Sequence, residues 1–229
     1  MSRARGDLEV RRLERVPTGR EETALRAAGT SLITVFALMV GLLSGCSAAR
    51  PSKYYQLTVP ADAGAVEKAG VVPVTLLLGQ LMTSHLYRED RIVYGNGAEQ
   101  LGTYEYQRWA EPPTEMIQEV LLRELRSSGR YRAVHYRRSN MQGDFAIRGR
   151  LYDFKEVDGR QMSARVTLEL EMRDLRSGAT VWTHYYTHDE PTSGKDVPAL
   201  VTALDKNVQR GVKEVVESLD HYFASHPVK

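Results

Sequence analysis

A chain of 229 residues with 42% hydrophobic and 26% charged residues has the make-up of a folded globular protein, which excludes disordered and collagen-like classes. The formal net charge is +2, and the surplus sits at the N-terminus: the first 45 residues hold seven Lys/Arg against five Asp/Glu, and 24 of each follow from Cys46 onward. A formally neutral body of mixed sign argues against a large basic footprint for DNA or RNA, and a single cysteine excludes a disulfide framework or a zinc set.

Residues 32–43, LITVFALMVGLL, carry no charge. Such a run is shorter than the roughly 20 residues of a bilayer-spanning helix. It fits the apolar core of a secretory signal, with Arg20 and Arg26 before it and a small-residue step after it. The lone cysteine follows directly, in Leu43-Ser44-Gly45-Cys46. These residues look like a bacterial lipobox, the alternative being an uncleaved N-terminal membrane helix or a core segment with a stray cysteine. The lipobox reading implies diacylglycerol transfer to the Cys46 sulfur, cleavage before Cys46 and acylation of the new amine. The segment ahead of the run is long and holds Glu21 and Glu22, so either translation starts downstream of Met1 or the extension is real. Ser47 stands where sorted Gram-negative lipoproteins kept at the inner membrane have Asp, which favours the periplasmic face of the outer membrane over the inner membrane. Two or more acyl chains anchor a protein stably where one does not. The expected division is leader 1–45, tether 46–53 and a single body 54–229.

In chain order, residues 54–59 and 71–78 read as strands, the second a continuous β-rich apolar run suited to a strand covered on both faces. Residues 61–70 read as a loop. Residues 91–94 and 101–109 read as strands joined through a Gly95-Asn96-Gly97 turn. A helix follows, with Pro112 and Pro113 at its entry, Met116, Ile117, Val120, Leu121 and Leu125 on its apolar side and Gly129 as its stop. Residues 133–137 read as a strand. Three longer alternating segments, 145–154, 164–175 and 180–188, are separated by Asp158-Gly159 and Ser177-Gly178 and form an antiparallel meander with one dry and one wet face. A long amphipathic helix closes the chain, with Asp196 as N-cap, Pro198 early, and Leu200, Leu204, Val208, Val212, Val215, Leu219 and Phe223 in one stripe. The sum is a two-layer α+β sandwich: a mixed or antiparallel sheet with two main helices packed on one face.

No catalytic or metal constellation stands out. His184 and His188 lie about 13 Å apart along a strand, too far for one ion, and read as exposed strand histidines. There is no nucleophile elbow and no phosphate-binding loop. Glu169 and Glu171 alternate with apolar residues and read as a solvated face. Arg130, Arg132, Arg137 and Arg138 read as a solvated basic edge more readily than as a contact for lipid headgroups. The strand aromatics Tyr54, Tyr55, Tyr104, Tyr106, Trp109, Trp182, Tyr185 and Tyr186 divide between core and surface in a way alternation alone does not decide.

Three stretches together carry a family resemblance: CSAARPSKYYQL just after the lipobox, RIVYGNGAEQLGTYEYQRWAEPP opening the first helix, and the C-terminal strands followed by one long helix. The mature chain resembles the ABC-type transport auxiliary lipoproteins, the PqiC-like proteins, over nearly its whole length. The long N-terminal extension and Glu89-Asp90 between Arg88 and Arg91 depart from that pattern. The resemblance implies a non-enzymatic accessory subunit with no cofactor beyond the covalent diacylglycerol and acyl chain on Cys46. It implies work with an MCE-domain protein and an inner-membrane ABC permease and ATPase in lipid transport between membranes, docked at the outer membrane, as a homo-oligomeric ring in one arrangement. Arg108, Trp109 and Glu111 have two readings: partner docking, or a structural corner with Glu111 at a helix start. The alternative function is an independent envelope lipoprotein that binds lipid or peptidoglycan, with an apolar cavity between sheet and helices. An anchored hydrolase has no nucleophile–base pair behind it.

Overall fold

The computed structural model describes residues 50–61, 70–95, 100–138 and 140–228. From Pro51 onward these belong to one compact unit, Pro51–Lys229. The strands are β1 (Lys53–Tyr55), β2 (Val72–Thr83), β3 (Arg91–Gly95), β4 (Gly102–Trp109), β5 (Tyr131–Tyr136), β6 (Phe145–Val157), β7 (Ser163–Asp174) and β8 (Thr180–Pro191). The helices are α1 (Pro113–Ser127) and α2 (Val197–Ser225). All eight strands join one sheet centred on β6. Along one side β6 pairs antiparallel with β7, which pairs antiparallel with β8. Along the other side its first half pairs parallel with β2, and its last three residues pair parallel with β3. Strand β2 then pairs parallel with β5, while β3 pairs antiparallel with β4 and β4 parallel with β1. Helix α1 packs on β2 and β5, and α2 packs on β6, β7 and β8. This is the expected mixed-sheet α+β arrangement.

Local chemistry explains most element boundaries. In β2, Leu76, Leu77 and Leu78 are 0, 1 and 1% exposed, so this stretch is covered on both faces. The cover over Leu77 comes from the segment after β5: a Cβ on Gly143 would sit 2.6 Å from Leu77 Cγ. The strand continues to Thr83, five residues beyond the apolar run, through an irregularity between Leu78 and Leu81. There Gln118 of α1 donates to the Gly79 carbonyl at 2.8 Å. The first strand stops at Tyr55, short of residue 59, because the chain leaves the sheet for α2. Asp205 accepts from the Thr58 amide at 2.9 Å, and Gln209 donates to the Thr58 carbonyl at 2.7 Å. Strand β5 starts two residues before its expected position, after Gly129 ends α1 with a φ of 61°. Of the Gly95-Asn96-Gly97 turn, Asn96 and Gly97 lie outside the described residues, as does loop 62–69.

Helix α2 buries the whole expected stripe from Leu200 to Phe223, and Asp196 caps it by accepting from the Ala199 amide at 2.9 Å. One polar residue interrupts the apolar face. Asn207 is fully buried. Its amide nitrogen donates to the Ala164 and His188 carbonyls at 2.8 and 2.9 Å, and its side-chain oxygen accepts from the Tyr186 hydroxyl at 2.6 Å. The side chain therefore ties α2 to β7 and β8 at once. Buried polar groups left without partners are costly. We expect Asn207→Ala to lower unfolding stability by about 3 kcal/mol, seen as a lower urea midpoint at unchanged slope, because it strips a partner from Tyr186 and from two carbonyls.

Candidate interaction surface

The described residues contain no group of three or more His, Cys, Asp or Glu placed to hold a metal ion. The two strand histidines are not on the wet face as expected. His184 and His188 share the helix-facing side of β8 with Trp182, Tyr186 and Glu190 and are half-buried. His184 stacks on Trp182 with the rings 3° from parallel. Aromatics occupy both faces of β8, so alternation could not tell inside from outside.

The same face holds a charge cluster around one carboxylate. Glu190 is buried, and its carboxylate meets Lys206 Nζ at 2.5 Å, Arg210 Nη2 at 2.8 Å and His188 Nε2 at 3.4 Å. The Lys206 hydrogen bond, against the opposing pull of burial, holds the Glu190 carboxyl below its ordinary value of 4.5. Both cations project from α2, so the cluster is a second tie between α2 and β8.

The sheet face opposite the helices carries no helix among the described residues, and the segment after β5 covers it at Leu77. Across it run Met82 of β2, Arg150 of β6, Glu169 of β7 and Tyr185 of β8, consecutive partners in register. Met82, Tyr152 and Tyr185 are exposed. The acids here are engaged: Tyr152 donates to Glu169 at 2.7 Å, Arg148 pairs with Glu171, and Arg165 grips Asp189 with two bonds of 2.7 and 2.6 Å. Glu169 and Glu171 thus belong to the solvated face, as alternation indicated. Strand β8 pairs only with β7, which leaves a twelve-residue sheet edge without a neighbour among the described residues. Such an edge is a template for strand addition.

Arg108, Trp109 and Glu111 come together at the corner between β4 and α1, in different roles. Trp109 is 1% exposed and packs on Phe154 with ring centres 5.1 Å apart. Its amide donates to the Asp90 carbonyl at 2.6 Å. The indole is therefore a core group and offers no surface to a partner. Arg108 pairs with Asp90 at 2.7 Å and is partly exposed. Glu111 is exposed and lines a groove of about 430 Å³ with Glu115, Glu119, Tyr136 and Arg137. Cys46 and its lipobox residues Leu43, Ser44 and Gly45 lie outside the described residues.

Two outcomes follow from these placements. Trp109→Ala should cost about 3–5 kcal/mol, whereas Arg108→Ala should cost less than about 1 kcal/mol because its ion pair is partly solvated; denaturant unfolding of both variants checks this. A carboxyl held below its unfolded value stabilises the fold at pH above that value, and the gain is lost as pH falls through the folded pKa. Stability should therefore drop as pH falls below 4.5, and Glu190→Gln should flatten that acid limb in thermal melts between pH 6 and 3.

A family model described as the ABC-type transport auxiliary lipoprotein component matches residues 55–216. The crystal structure of protein XCC0632 from Xanthomonas campestris superposes with a TM-score of 0.62 at 20% identity, covering 72% of this chain and 92% of that one. A solved structure of an uncharacterized protein gives a TM-score of 0.58 at 12% identity, covering 74% of this chain and 99% of that one. At such identities both show the shared fold. No curated protein sequence matches the chain significantly. The family match takes in the sheet from Tyr55 and most of α2, well over half of the chain, and the chain belongs to the family of ABC-type transport auxiliary lipoprotein components.

Proposed function

We propose that this chain is a non-enzymatic, lipid-anchored accessory subunit of an MCE/ABC-type intermembrane lipid transport system. Its family membership over residues 55–216 carries the reading. Cys46 is the anchor, acylated on sulfur and amine, and the body hangs on the periplasmic face of the outer membrane. The tether of residues 46–53 spans at most about 3 nm, so the body stays within reach of the membrane surface. Partner contacts fall to the sheet face opposite the helices, the edge of β8 that has no neighbour among the described residues, the partly exposed Arg108 and the exposed Glu111. A homo-oligomeric ring is one arrangement that would repeat these surfaces around a partner. The independent-binder alternative expects a ligand cavity between sheet and helices. Leu76, Leu78, Leu121, Leu204 and Phe223 belong to the continuous core there, which favours the docking reading.

Affinity capture of the full-length protein from crosslinked envelopes, alongside Cys46→Ala, tests this. The expected result is an MCE-domain protein with an ABC permease and ATPase in the wild-type capture, and a large loss of that recovery in the variant. Capture without any MCE-domain protein in either sample would overturn the transporter reading.

A further inference from the structure

The arginine cluster around β5 separates into two kinds. Arg130 pairs with Asp220 at 3.5 Å and Arg132 with Asp144 at 2.8 Å. Arg137 and Arg138, just after β5, have no side-chain partner among the described residues. Both line one groove of about 480 Å³ on the sheet side, within the usual size range of small-ligand sites. Arg148 reaches the same groove from β6 while paired with Glu171. Leu77, Met82, Met141 and Leu175 give the wall an apolar side, and Gln80 adds one neutral polar side chain. Met82, Met141 and Leu175 are 56, 38 and 37% exposed, so apolar surface lies open to water beside two unpaired cations.

We propose that this groove binds the headgroup of an anionic glycerophospholipid. A guanidinium presents a planar fork matched to phosphate oxygens. Arg137 and Arg138 are consecutive, and with Arg148 they converge on one pocket. That suits a compact anion with several oxygens better than a peptide with acids spaced along a strand. The apolar wall accepts the ester region and first methylenes of the chains, which removes Met and Leu surface from water. Gly79 and Gly149 line the groove because the backbone is crowded there: a Cβ on Gly149 would lie 2.1 Å from the Glu169 carbonyl oxygen. Arg137 also borders the acidic groove of Glu111, Glu115 and Glu119, so Arg138 is the cleaner residue to test. The inference does not depend on the identity of a transporter partner; lipid binding and partner capture can fail separately.

The test is methionine-methyl NMR of the detergent-solubilised full-length chain titrated with dihexanoyl phosphatidylglycerol. Dihexanoyl phosphatidylcholine, inorganic phosphate and hexaglutamate serve as comparison probes. Saturable shifts at Met82 and Met141 with phosphatidylglycerol are expected, at least tenfold tighter than with any comparison probe. Arg138→Gln, an exposed substitution whose fold is checked by circular dichroism, should weaken that binding about tenfold or more. An absent response, or equal responses to both lipids that Arg138→Gln leaves unchanged, would overturn the proposal. Phosphate binding as tightly as the lipid would make the groove a free-anion site. Hexaglutamate binding as tightly would make it a peptide-docking site, and either result also overturns the lipid assignment.

Discussion

The architecture depends on one strand having neighbours along its whole length on one side and a fork on the other. Strand β6 gives its full length to β7, its first half to β2 and its end to β3. The divergence falls at an irregularity between Leu151 and Asp153, which re-aims the strand so that Phe154 faces the core. Ahead of it, Gly149 permits an approach to β7 that no side chain would fit. One branch, β2 and β5, receives α1. The other, β3, β4 and β1, brings Trp109 onto Phe154.

The sequence pattern read best where burial is one-sided. The alternation of β6 before its bulge and the seven-residue stripe of α2 each follow a single period, and each element lies where that period placed it. The parallel pairings of β2 with β5 and β6 left no local trace, since each joins segments separated by other elements. Asn207 was also invisible, because its three partners come from two other strands. Glu190 reads as a surface acid until Lys206 and Arg210 arrive from α2. Trp109 shows the same limit from the opposite direction: an aromatic before a Pro-Pro corner suits an interface anchor or a core wedge, and only the position of Phe154 decides.

The residues that bear on function are the ones the core does not consume. On the face opposite the helices the acids are mostly paired with neighbours across the strands, while Arg137 and Arg138 have no side-chain partner among the described residues and lie beside exposed methionines. The unspent charge of the groove is positive, which selects an anionic ligand. The long edge of β8 is a different resource, since it offers backbone groups to any strand that meets it in register.

The proposed anchoring at a membrane turns on the processing of Cys46. The most direct measurement is mass spectrometry of the mature N-terminus of the protein extracted from its native envelope. A lipid-anchored chain is expected to begin at Cys46, with diacylglycerol on its sulfur and an acyl chain on its amine. A terminus that keeps residues ahead of Cys46, with a free thiol, would contradict that anchoring.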